Sequence, residues 1–101
     1  MSTFKSIKEI DVWNDAIEYA VKIYNVTSYD SFKNDFALKD QLRRSALSIS
    51  SNIAEGFERE TTKEFTRFLY IAKGSCGESR SQLYLSYKIN FLPSKDFDTL
   101  Y

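Results

Sequence analysis

Around the stretch from Asp40 to Glu64 the chain carries apolar residues at a spacing that leaves little choice of fold. Leu38, Leu42, Ala46, Ile49, Ile53 and Gly56 fall on one narrow helical stripe, the three-four spacing of a buried seam. Gln41, Ser48, Asn52, Glu55 and Arg59 form a polar stripe beside it. Leu47 and Ala54 lie on the back, level with Arg43, Arg44 and Ser51. A helix with one apolar seam needs partner helices, so an all-α bundle is expected.

The flanking segments supply those partners. A first helix is predicted over residues 10–28, with Trp13, Ala16, Ile17, Ala20, Ile23, Tyr24 and Thr27 on one face, widened by Val12, Tyr19 and Val26. So broad a face implies contact with two neighbouring helices, and Glu18 with Lys22 is placed for an i,i+4 ion pair. Trp13 reads as a core anchor. Residues 1–8 read as a short, poorly fixed leader. The Ser-, Asp- and Asn-rich connection 28–35 is expected to fold Tyr29 and Phe32 back onto the bundle end.

A second helix is predicted over 36–57, with Gly56 letting the chain turn out of it. Thr61 and Glu64 have capping-box spacing and open a long third helix over 62–91. Its seam is Phe65, Phe68, Leu69, Ala72, Cys76, Ser79, Leu83 and Tyr87. Small residues gather mid-helix, and each glycine there costs about 1 kcal/mol against alanine, so a close approach of another backbone is expected around Gly74 and Gly77. The rival reading is a kink. Pro93 stops this helix, and Ser94 is placed to cap a fourth over 95–101. One to two turns cannot cover a ~45 Å partner, so the expectation is a longer chain or cover borrowed from a neighbour. The result is a single domain over 1–101: an up-and-down four-helix bundle, its fourth helix partial.

Composition removes many functions. Fourteen basic and fourteen acidic residues cancel, leaving no global electrostatic case for nucleic acid or an anionic membrane. No histidine occurs. The Glu-x-x-His sites of di-iron bundles, histidine-based triads and the usual zinc sites fall with it. One cysteine, Cys76, cannot close an intrachain disulfide and fits a reducing cytoplasm. No signal-peptide run or membrane-spanning segment is present. No catalytic constellation, cofactor or metal is expected.

Three residue sets remain as candidates. Arg43, Arg44, Arg59, Lys63 and Arg67 gather around the hairpin and the back of the second helix, where arginine offers phosphate a bidentate fork. Interleaved Asp40, Glu55, Glu58, Glu60 and Glu64 favour a solvated charge network instead. Asn52 and Glu55 face Glu78 and Gln82 as an interhelix polar network that fixes register. Leu47 and Ala54, with Tyr70, Gly74, Gly77 and Tyr84 on the third helix, are expected to form one continuous patch for self-association.

The segments Gln41-Leu42-Arg43-Arg44-Ser45-Ala46, Ser51-Asn52-Ile53-Ala54-Glu55-Gly56 and Glu64-Phe65…Arg67-Phe68-Leu69-Tyr70-Ile71-Ala72…Gly74-Ser75 resemble the bundle proteins encoded in intervening sequences of bacterial 23S rRNA genes. That family also resembles the accessory bundle protein of diversity-generating retroelements. The likeness runs from about Ile10 to Leu83. Ser50, where the family often has proline, and Cys76-Gly77 depart from the pattern. The resemblance implies a four-helix bundle and a homo-oligomer, most simply a pentamer. By analogy it points to a non-enzymatic scaffold that binds RNA or a ribonucleoprotein. The alternative is an adaptor docking a partner enzyme such as a reverse transcriptase, without RNA contact. A hydrolase has only the paired carboxylates in its favour.

Overall fold

The stripe on the second helix is the buried centre of the molecule. In the computed structural model, which describes residues 6–101, four helices follow in order: α1 (Asp11–Val26), α2 (Phe36–Phe57), α3 (Thr62–Lys88) and α4 (Ser94–Leu100). Single 3-10 turns at Ile7–Glu9 and Asp30–Phe32 precede α1 and α2. Among the described residues there is no strand. The first five residues of the expected leader lie outside the described residues. Ser6 and Glu9 close a capping box over the first turn.

Leu38, Leu42, Ala46, Ile49, Ile53 and Gly56 are all buried. α2 and α3 make the most extensive helix pair, α1 packs on α2, and α4 touches α3 and α1 at one end. The particle measures 45 × 20 × 19 Å, its long axis matching the ~40 Å of a 27-residue α3.

The core has two parts. At the end where α4 lies, Ile23, Val26, Phe32, Leu42, Leu83 and Leu92 pack together. Further along, Ala16, Ile49, Ile53 and Ala72 pack with Trp13, Tyr19 and Cys76 around them. Phe32 is fully buried, edge-on to Phe91 at 5.3 Å, and the Tyr29 hydroxyl donates to Asp96 at 3.1 Å. The connection thus folds onto the bundle end as the sequence indicates.

Several expectations are corrected. Val12, Ile17 and Tyr24 on α1 are exposed, as is Leu69 on α3 at 37%. The α1 face is narrower in packing than in pattern, because α4 covers only one end of the neighbouring groove. Glu18 and Lys22 form no ion pair among the described residues.

Gly56 does not turn the chain out of α2; it sits inside the helix because α3 crosses there. A Cβ on it would lie 2.8 Å from Phe68 Cβ and 3.0 Å from Phe65 Cδ1. Gly74 and Gly77 show the opposite: a Cβ on either meets nothing within 4 Å, and α3 runs through both without a break. The close approach belongs to Gly56.

The helix termini also differ in detail. Thr61 accepts the Glu64 amide at 3.1 Å, but the Glu64 carboxylate pairs with Arg67 instead of returning to the cap. α3 ends at Lys88, before Phe91. Asn90 takes the left-handed conformation (φ 65), while the Phe91 amide donates to the Ser86 carbonyl and the Asn90 amide to that of Tyr87, at 2.9 and 3.0 Å. This pair of hydrogen bonds is a Schellman termination built on asparagine. Ser94 is the first residue of α4 and not its cap; Pro93 holds that position without a side-chain bond.

Candidate interaction surfaces

The five basic residues do not form one cluster. Arg43 faces α1: its Nε donates to Thr27 Oγ1 at 2.8 Å, its Nη2 reaches the Tyr24 carbonyl at 3.3 Å, and the guanidinium lies 4.4 Å from the Tyr24 ring centre. It clamps α2 to the end of α1. Arg44 pairs with Asp40 at 2.8 Å. Arg59, Lys63 and Arg67 lie at the other end; the helix rises about 21 Å from Arg43 to its last residue, Phe57, before Arg59 is reached.

There, Arg59 pairs with Glu55 at 3.3 Å and Arg67 with Glu64 at 3.1 Å. The Arg67 bond holds the Glu64 carboxyl below its ordinary pKa. Both guanidiniums also lie over the Phe68 ring, at 4.9 and 4.4 Å. Lys63 is exposed. So the basic set is two groups, and four of its five members already have partners.

The polar network exists, through different residues. Ser45 Oγ donates to Gln82 Oε1 at 2.7 Å, and Ser48 Oγ lies 2.8 Å from Ser75 Oγ. Asn52 supports that bridge from within α2, its amide donating to the Ser48 carbonyl at 2.8 Å. Of the four expected members, Gln82 crosses between helices and Asn52 acts through Ser48. Glu55 turns to Arg59, and Glu78 stands exposed.

A third bridge joins α1 to α3, where the Tyr19 hydroxyl bonds the fully buried Ser79 hydroxyl. Burial pushes the Tyr19 phenol up, only partly offset by the Ser79 bond, and burial likewise raises the Cys76 thiol. A raised thiol is poorly nucleophilic. Ser45, Ser75 and Ser79 were not singled out together in the sequence, although Ser45-Ser48 and Ser75-Ser79 fall at three-four spacing on the seam edge. No buried side-chain nitrogen or oxygen lacks a partner among the described residues. Nor does any group of three or more carboxylate, thiol or imidazole side chains there have the arrangement to hold a metal ion.

The six expected interface residues lie on two sides. Leu47 joins Ile17, Ala20, Val21 and Tyr24 around a shallow groove of ≈ 350 Å³ between α1 and α2, and Ala54, half-buried, falls on the same side of the α2 wheel. Tyr70, 69% exposed, and the open Gly74 and Gly77 follow the outer side of α3. Tyr84 is drawn toward α4, its ring 6.1 Å from that of Phe97. They are not one continuous patch, because α2 itself stands between the two sides. Ile71 and Leu85 on α3, and Ile89 at its end, are exposed as well. Their spacing of 14 and 4 residues puts them on one stripe along the flank facing α2.

What the fold and its surfaces define is an all-helical bundle whose buried polar groups bridge its helices and which keeps several large apolar side chains exposed outside its core. Over residues 8–101 the chain matches the model of the 23S rRNA-intervening sequence protein family, and it belongs to that family. A solved structure of a protein of unknown function from the S23 ribosomal protein family, from Bacteroides thetaiotaomicron, has the same fold. It superposes with a TM-score of 0.80 at 24% identity, covering 88% of this chain and 83% of that one. No curated protein matches the chain.

Proposed function

We propose that this chain is a non-enzymatic, self-associating helical scaffold of the intervening-sequence type, a ring-like cytoplasmic homo-oligomer that holds an RNA or ribonucleoprotein partner. One observation carries the reading: large apolar side chains stay exposed along α1, α2 and α3 while the polar groups between helices are paired with one another. Surfaces of that kind are used for association. The number five comes from the family resemblance. The RNA component draws on the family's description and on the hairpin end, where Lys63 stands beside Arg59 and Arg67.

The adaptor reading, docking a partner enzyme without RNA contact, is favoured by a different observation. The arginines are engaged by Asp40, Glu55, Glu64 and Thr27, so each phosphate contact must displace an existing partner. Filter binding to 23S rRNA fragments at two salt concentrations separates the readings. Phosphate contacts make affinity fall steeply with salt. Absence of binding at the lower salt removes the RNA component and leaves the adaptor.

A further inference from the structure

Resting on the RNA reading, we propose that the outer face of α3 is a track for single-stranded RNA, its cations holding phosphates and its tyrosines stacking unpaired bases. Tyr70, Lys73, Gly77, Arg80, Tyr84 and Lys88 follow one another at steps of three or four residues. They therefore share one stripe, and all six are exposed. The same steps run back through Thr66 to Lys63 at the hairpin end, both exposed as well. From Lys63 to Lys88 the stripe is about 38 Å long.

Over the whole chain the charges cancel. On this stripe they do not: it carries four cations and no carboxylate. None of the four forms an ion pair among the described residues. Arg80 lies instead over the Tyr101 ring at 4.4 Å, which leaves its charge uncompensated. The two carboxylates of α3 fall off the stripe: Arg67 holds Glu64, and Glu78 lies on the flank of Ile71 and Leu85. Asp15 of α1 shares a cleft with Arg80 without pairing with it, and Asp96 of α4 accepts the Tyr29 hydroxyl. Asp98 is exposed on α4 together with Lys95. Glu60 lies close to Lys63 in the hairpin sequence, so the unopposed stretch runs from Lys73 to Lys88. A row of cations with no acid among them suits a polyanion.

The rings choose the form of RNA. Tyr70 is 69% exposed and meets no other ring among the described residues. Tyr84, half exposed, is backed by Phe97 at 6.1 Å and Tyr101 at 6.5 Å, and Phe97 stacks on Tyr87 at 4.4 Å. One tyrosine stands between Lys63 and Lys73, the other between Arg80 and Lys88. Exposed rings interleaved with cations suit a single strand, whose unpaired bases stack on them; a duplex keeps its bases paired and offers mainly its backbone. An acidic protein would meet the cations and leave the rings without a role.

Fluorescence anisotropy of a labelled oligouridylate at two salt concentrations tests the track on the full chain. Lys73→Gln, Arg80→Gln and Lys88→Gln together are expected to weaken binding and flatten its salt slope by about two units. Tyr70→Leu with Tyr84→Leu weakens it about ten-fold and leaves the slope unchanged, while Tyr70→Phe with Tyr84→Phe binds as the wild type does. Unlabelled oligouridylate competes better than an RNA duplex of equal length or polyglutamate. Circular dichroism melts report whether each variant folds, and Tyr70→Leu alone carries the stacking test if the double variant does not. Either competitor matching oligouridylate overturns the single-strand site. If the wild-type chain binds no RNA at the lower salt, the RNA reading falls and the track with it. If it binds and these variants bind equally well, only the track falls.

Discussion

The backbone of α2 at Gly56 lies so near Phe68 of α3 that a methyl group on the glycine would stand 2.8 Å from the Phe68 Cβ. Alanine is favoured over glycine in a helix by about 1 kcal/mol. Overpacking a tight contact costs ~1–3 kcal/mol, and here the obstructing atom is a Cβ fixed to the α3 backbone, which cannot swing away. The clash wins. Gly56→Ala is therefore expected to destabilise the chain by about 1 kcal/mol in urea unfolding; a stabilised variant would show that the hairpin yields easily.

At Gly74 and Gly77 the sign reverses. With nothing near the added methyl group, Gly74→Ala and Gly77→Ala should each stabilise the single chain by up to ~1 kcal/mol. If another copy approaches these positions closely, the same variants weaken association while strengthening the fold. Unfolding followed at several protein concentrations reads both effects. Destabilisation without any concentration dependence would contradict the open environment described.

The Tyr19–Ser79 bridge ties α1 to α3 across the middle of the bundle. Tyr19→Phe leaves the buried Ser79 hydroxyl without its partner, a loss of about 1–3 kcal/mol. The phenol's pKa is raised in the fold, chiefly by burial, so the neutral form is the one the fold favours. Its contribution is complete below the unfolded value of about 10 and is lost as pH rises through the higher folded value. Melts between pH 8 and 11 should show wild-type stability falling toward that of Tyr19→Phe. Parallel curves would place the alkaline loss elsewhere.

How much of this was legible in the sequence divides along physical lines. The α2 seam and the helix order were readable because they rest on local periodicity. Leu69 was misassigned because helical spacing says which residues share a face, and not how far the neighbouring α4 reaches. Gly56 reads as a terminator in the sequence because the contact that requires it, the approach of Phe68, is a tertiary fact. The basic residues look like one group in the sequence because the helix projection collapses the ~21 Å of rise between Arg43 and the end of α2. Ile71, Leu85 and Ile89 were visible as apolar residues, but their exposure depended on where α2 stops covering α3.

The division of the basic residues changes which variant tests RNA contact. Arg43 belongs to the α1–α2 clamp, so its loss would confound binding with stability. Arg59→Gln, Lys63→Gln and Arg67→Gln together remove the hairpin-end group. If that end meets phosphate, the triple variant weakens RNA binding and flattens its salt slope by about two to three units. Unchanged affinity and slope would exclude this end from any RNA contact.

Self-association is the claim on which the rest depends, and light scattering of the purified wild-type chain at micromolar concentration tests it most directly. The account predicts a single species at an integral multiple of the 11.8 kDa chain mass, five if the family resemblance extends to stoichiometry. A clean mass of one chain would contradict it, and the apolar residues exposed along α1, α2 and α3 would then need another occupant.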